Sequence, residues 1–211
     1  MLTSRTQSGV SLIEIMIGLV IMALLIMIGL PNMSVWLNNS QIRTAGESML
    51  SGLAIARTEA VRRNQIVRFQ MVTDLTSGCT ISTGGRSWVV SLDDPTGACD
   101  AAPGEPAPGD PPPRILQARS GDEGTTRAVP AATPAAVAYF NGLGRLTSPG
   151  GAINMTRVDI SNPTGGACEN ADGSGGPMRC MRINISIGGE AKMCDPAVDP
   201  VANPTDPRIC P

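Results

Sequence analysis

Residues 9–31 read GVSLIEIMIGLVIMALLIMIGLP, and this stretch decides the fold class. Between Val10 and Leu30 the one charged residue is Glu14, and the other interruptions are Ser11, Gly18 and Gly29. A helix of this length rises about 30 Å, enough to cross a bilayer. Ahead of it stands MLTSRTQSG, with Arg5 as its only charged side chain. The positive-inside bias keeps that leader in the cytoplasm and sends the rest of the chain outward. A secretory signal would carry a small-x-small cleavage site after its apolar core. Leu30-Pro31-Asn32-Met33 follows instead, so the segment is expected to be retained. Glu14 is the anomaly. A carboxylate within an apolar span costs about 3 kcal/mol on insertion scales, so it either snorkels to the interface or has a partner.

Beyond Pro31 the pattern turns amphipathic. Ile42, Ala45, Met49, Leu53, Ala56 and Ala60 recur at steps of three and four, with Asn39, Arg43, Glu47, Ser51, Thr58 and Arg62 opposite them. This is the core-facing stripe of a helix, not a cofactor box. One continuous helix is expected over residues 10–63. Short strands are expected at 66–72, 87–92, 135–140, 156–160 and 181–187; Val158/Ile160 and Ile183/Ile185/Ile187 alternate as one half-buried face would. Residues 98–114, with Pro103, Pro106, Pro108, Pro111, Pro112 and Pro113, read as an extended exposed loop. Residues 165–177 read as a second, flexible loop.

The expected organisation is a leader at 1–9, a transmembrane helix at 10–30, its amphipathic continuation at 31–64 and an outward β domain at 65–211. That is an α+β chain, one long N-terminal helix on a small, mostly antiparallel β domain. The six cysteines are Cys79, Cys99, Cys168, Cys180, Cys194 and Cys210. They lie downstream of the membrane segment, where an even count favours disulfides in an oxidising compartment. Sequence alone does not choose among the pairings. Nearest-neighbour bonds are the working expectation, because each pair brackets a plausible hairpin or turn.

Composition removes several functions. The net charge of −2, from 16 basic and 18 acidic residues, provides no global field for nucleic acid or anionic lipid. Histidine is absent, which excludes Ser-His-Asp and Cys-His catalysis. With no histidine and no CxxC, a zinc site would need four cysteines at poor spacing. No phosphate-binding loop or GxSxG elbow is present, and no partner serine marks Lys192, the only lysine, for a Ser-Lys dyad. No catalytic residue, cofactor or zinc site is expected. Aromatic residues are few, so the core is expected to rest on Val, Ile, Leu, Met and Ala. Asp195, Asp199 and Asp206 share the Cys194–Cys210 segment and could hold calcium, or could shape turns as Asp-Pro pairs do.

The arrangement Gly9, Val10-Ser11-Leu12-Ile13-Glu14 and an apolar run resembles the class III signal of type IV prepilins. By that resemblance a prepilin peptidase would cut between Gly9 and Val10 and methylate the new amine of Val10. Glu14 would pair with an N-terminal amine during assembly, and Pro31 would stand where pilin helices commonly kink. The family usually begins its mature chain with Phe, where this chain has Val10.

Three further stretches resemble the GspH/FimT family of minor pilins and pseudopilins. They are Ala56-Arg57-Thr58-Glu59-Ala60-Val61-Arg62-Arg63-Asn64, Val137-Ala138-Tyr139-Phe140-Asn141-Gly142-Leu143-Gly144-Arg145, and Met181-Arg182-Ile183-Asn184-Ile185-Ser186-Ile187-Gly188-Gly189 with its run into Cys194-Asp195-Pro196. The resemblance implies a pilin-like subunit in the inner membrane, with its domain in the periplasm until it enters a pilus or pseudopilus. Its partners would be other pilin or pseudopilin subunits. A minor pilin of a type IV pilus is the first expectation, which the resemblance of the Cys194–Cys210 tail to pilus-type members favours. A pseudopilin of the type II secretion system and a membrane-tethered ligand-binding domain are the alternatives. Some members of the family take part in DNA uptake through a basic GRxR-type stretch. The matching positions here are Gly189-Glu190-Ala191-Lys192, an acid where the first arginine would be. The candidate DNA contacts are therefore Arg179, Arg182 and Lys192.

Overall fold

The computed structural model describes residues 9–107, 109–123 and 125–210. The leader residues 1–8 lie outside that description, as do the side chains of residues 28–32, Pro31 among them. The chain divides into two compact units, Met1–Leu37 and Asn38–Pro211. Helix α1 (Leu12–Arg63) contributes to both. In the first unit every described side chain from residue 9 to residue 27 is exposed, as are Met33, Trp36 and Leu37. Among the described residues no helix is long and apolar enough to cross a membrane; the described apolar run of α1 stops at Met27.

In the second unit, Ile42, Ala45, Met49, Leu53, Ala56 and Ala60 form the buried face of α1. The helix ends in a Schellman motif. Asn64 takes the left-handed conformation (φ 50°), Gln65 N–H donates to the Ala60 carbonyl and Asn64 N–H to that of Val61. Asn tolerates this conformation better than most residues, and the motif satisfies carbonyls that the helix leaves open.

Eight strands follow: β1 (Val67–Val72), β2 (Ser87–Ser91), β3 (Ile115–Arg119), β4 (Val129–Thr133), β5 (Val137–Phe140), β6 (Arg157–Ser161), β7 (Met181–Ile185) and β8 (Ala191–Cys194). They form two four-stranded sheets, β3-β2-β1-β5 (sheet A) and β4-β6-β7-β8 (sheet B). All neighbours are antiparallel, with Phe69 opposite Val90 in sheet A and Val158 opposite Ile183 in sheet B.

Two glycines let α1 approach both sheets. A Cβ on Gly52 would lie 2.7 Å from the Phe69 ring and 3.1 Å from that of Trp88, in sheet A. A Cβ on Gly46 would lie 2.8 Å from Met193 Sδ and 3.3 Å from Ile160 Cδ1, in sheet B. Glycine weakens a helix interior by up to about 1 kcal/mol relative to alanine. Here that cost is offset by close packing of large side chains. Trp88, Phe69 and Phe140 are among the largest fully buried side chains. The aromatic residues, though few, therefore anchor the core beside the aliphatics. Trp88 Nε1 donates to Ser48 Oγ at 3.0 Å, which satisfies the indole N–H within the fold.

The outer face of sheet A is covered as well. Val72, Val89 and Ile115 pack with Cys79 and Cys99 in a second apolar cluster. The six cysteines form three disulfides, Cys79–Cys99, Cys168–Cys180 and Cys194–Cys210. Much of the proline-rich segment is exposed, but it is fixed at two points. Arg114 grips Asp93 through Nε at 2.7 Å and a second nitrogen at 2.8 Å, and Glu105 meets Arg62 at 2.7 Å and Arg63 at 2.8 Å.

Three strands lie where none was expected. β3 follows the prolines directly, β4 contains Pro130, and β8 lacks β-branched residues. Pro130 is tolerated because β4 is an edge strand. Two residues on, Ala132 N–H donates away from the sheet, to the Thr83 carbonyl at 2.7 Å. The nitrogen of Pro130, two positions away, has the same aspect, so no ladder bond is lost. The strand expected at 181–187 stops at Ile185. Ser186 N–H and the Glu190 carbonyl close a turn there (2.9 Å), which leaves Ile187 outside the sheet and exposed.

Candidate functional site

At the head of α1, the Ser11 carbonyl accepts from Glu14 N–H at 3.0 Å and from Ile15 N–H at 3.2 Å, so the helix begins immediately after Ser11. Glu14 consequently lies in the first turn. The unpaired N–H groups and macrodipole of a helix N-terminus favour a carboxylate there. Gly9 and Val10 precede the helix in irregular, exposed backbone. A Cβ on Gly9 would meet nothing within 4 Å among the described residues. Packing among the described residues does not demand glycine at that position.

The three internal motifs meet at the far end of the domain helix. Arg57 Nε donates to the Gly144 carbonyl at 3.1 Å. A Cβ on Gly144 would touch Val61 at 3.0 Å, and one on Gly142 would strike the Asn64 side chain. Asn141 Oδ1 accepts from the N–H groups of Leu143 and Arg145 at 3.0 and 3.1 Å, which shapes the turn after β5. The β7–β8 turn closes on it. Gly189 has φ 78° and no room for a Cβ against the Gly144 carbonyl, and Leu146 N–H donates to the Ile187 carbonyl at 3.2 Å. Only glycine suits both requirements at 189. The motifs thus form one clasp joining the helix end, the β5 turn and the last hairpin.

The candidate DNA contacts do not gather into a basic patch. Arg179 pairs with Glu169 at 3.2 Å and with the buried Asp195 at 3.6 Å. Arg182 Nε lies 2.6 Å from Asp159 Oδ1, and Arg157 lies 3.0 Å from the other oxygen of the same carboxylate. Lys192 stands apart, opposite Asn184 in the β7–β8 ladder and facing an open groove of about 550 Å³ that Glu190 also lines.

The aspartates of the C-terminal tail are likewise separated. Asp195, Asp199 and Asp206 each precede a proline, and each Oδ1 accepts the N–H two residues on, from Ala197, Val201 and Arg208, at 2.8–2.9 Å. These are Asx turns. The Arg208 side chain, and then its backbone N–H, hold the Asp206 carboxyl down at about 2. Among the described residues no three His, Cys, Asp or Glu side chains are grouped to hold a metal. In the described structure the three aspartates shape turns.

Four charged groups surround the helix end. Arg62 and Arg63 both meet Glu59, at 2.9 and 2.8 Å, and both meet Glu105. Hydrogen bonding from Arg62 holds the Glu59 and Glu105 carboxyls below their ordinary range. This network ties the proline-rich segment to α1. Sequence reasoning missed it because Glu105 lies far along the chain in a stretch with no periodicity.

A search of curated proteins finds no match. Among solved structures, two crystal forms of the type IV minor pilin FimU of Pseudomonas aeruginosa are similar at 18% identity and a TM-score of 0.42. One match covers 72% of this chain and 90% of that one, the other 73% and 88%. A model of the prokaryotic N-terminal methylation motif matches residues 4–30. A family model described as type II transport protein GspH matches residues 45–189, from within α1 to the glycine that closes the clasp. That is more than half of the sequence, and the chain belongs to the GspH family of pilin-like proteins.

Proposed function

We propose that the protein is a minor pilin of a type IV pilus, a structural subunit that primes or caps filament assembly and has no enzymatic role. The observation that carries this reading is Gly9, which packs against nothing among the described residues, one residue ahead of Val10 and a helix whose described side chains are all exposed as far as Met27. A residue free of packing contacts at this position is available to be read by a processing enzyme. Prepilin peptidase would cut after Gly9, and residues 10–30 would hold the subunit in the inner membrane with the β domain in the periplasm. In the filament, Glu14 at the first turn of α1 would neutralise a Val10 amine. Opposite charges in a low-dielectric bundle cost far less together than apart. The side chains of Arg179 and Arg182 are engaged by carboxylates, so contact with DNA is not part of this reading.

The test is the mass of the N-terminal peptide recovered from membranes, with and without Gly9→Val. A mature chain beginning with methylated Val10, absent from the variant, supports the proposal. An intact Met1 leader sinks it and leaves a membrane-tethered domain. A second reading, a pseudopilin of the type II secretion system, is favoured by the description of the matching family as a type II transport protein. Deletion of the gene separates the two: loss of surface filaments supports the pilus, and loss of protein export into the medium supports the pseudopilus.

A further inference from the structure

The clasp carries an exposed apex. Leu143, in the β5 turn, is 77% exposed and Ile187, in the β7–β8 turn, is 86% exposed. The two turns are held together by the Leu146–Ile187 hydrogen bond and by the contact of Gly189 with Gly144. Val61, on α1 beneath Gly144, is 52% exposed. Fixed backbone therefore presents branched aliphatic side chains to solvent, and fixing them in advance lowers the ordering cost of binding. The surrounding charge is mainly positive. Arg57 and Arg145 flank the β5 turn, and Lys192 and Glu190 lie on the β8 side. Neither Arg145 nor Lys192 has a carboxylate partner among the described residues.

We infer that this apex docks the domain onto a neighbouring pilin-like subunit, at an apolar depression bordered by Asp and Glu side chains. The inference rests on the filament reading proposed above and names the surface that such a subunit would use. Charge complementarity selects the partner's chemistry. Cations around an apolar centre steer an acidic surface into register, while the aliphatic centre supplies the burial. A nucleic acid would want clustered cations on its phosphates and has little use for two protruding aliphatics. An anionic bilayer gives only about 1 kcal/mol per basic residue, and Glu190 offsets one of the few here.

The experiment places a photo-crosslinking amino acid at Leu143 or Ile187, and at Val201 as an exposed control, in the full-length chain in its native cells. Adducts are identified by peptide mass spectrometry. The expected product is a crosslink from 143 and 187, but not 201, to an Asp/Glu-bearing peptide of another chain with an N-terminal methylation motif. Arg145→Glu should lower its yield about tenfold, and reversing an acid to Lys in the crosslinked peptide should restore it. Adducts only to lipid or nucleic acid, no adduct, or equal yield from 201 would overturn the inference. The N-terminal mass, read from the same samples, judges the filament proposal separately. Normal processing without the adduct rejects the apex alone, and an intact leader rejects the filament reading.

Discussion

Sheet A is covered on both faces, by α1 within and by the loop that Cys79–Cys99 closes outside, whereas the outer face of sheet B is polar and partly exposed. The strands record the difference. All five residues of β2 are buried, while β4 alternates exposed and buried along its length. The outer face of sheet B carries Arg157, Asp159 and Arg182 in a shared ion pair, and the corresponding face of sheet A carries Val72, Val89 and Ile115. The same antiparallel framework is thus stabilised by apolar burial on one side of the domain and left to water on the other. Stability is expected to concentrate in sheet A and its cover, and tolerance of change on the outer face of sheet B.

Phe69→Ala should be the most damaging change, because the ring fills the space that Gly52 leaves between helix and sheet. A loss of about 3–5 kcal/mol is expected in urea unfolding. A loss below about 1 kcal/mol would mean that the inner contact is not what holds sheet A. Replacing Cys79 and Cys99 together by Ala should cost about 3 kcal/mol from the chain-entropy term, and should raise binding of an apolar dye as the outer cluster opens. If stability fell no further than with an outer-face change in sheet B, the double cover would be dispensable.

Asp93→Asn should lose about 1 kcal/mol at neutral pH. Hydrogen bonding by Arg114 holds the Asp93 carboxyl below its ordinary 3.8 in the folded chain. Its contribution is therefore present above that value and disappears as pH falls through the lower, folded one. Thermal melts from pH 5 downward should show a shallower acid decline in the variant; parallel declines would remove this pair from the account. The smallest effect belongs to Arg157→Ala, within about 0.5 kcal/mol. A larger loss in its melt would contradict the contrast between the two sheets.

Much of this was legible from one sequence because periodic patterns need no partner to be seen. The stripe from Ile42 to Ala60 and the alternation of Val158/Ile160 and Ile183/Ile185 each report a buried face. Edge strands were not legible. β4 contains a proline that only its place in the sheet order makes acceptable, and β8 is short and follows a double glycine. The three motifs of the clasp could be quoted one by one, but their meeting depends on contacts between Arg57, Gly144 and Gly189, which no local spacing encodes. Gly46 and Gly52 look like helix weaknesses until Ile160, Met193, Phe69 and Trp88 are seen opposite them. The tail aspartates pointed two ways, and the local Asx geometry favours turns.

Mechanics offers another view of the clasp. A filament subunit hauled by its helix would have to transmit tension into its domain. Within the domain, α1 is notched against sheet B at Gly46, against sheet A at Gly52, and tied at its far end through Arg57 and Asn64. Tension along the helix axis would load these points together, in shear, instead of opening them one after another. On the filament reading, a pull on α1 would reach the domain at all of these points at once.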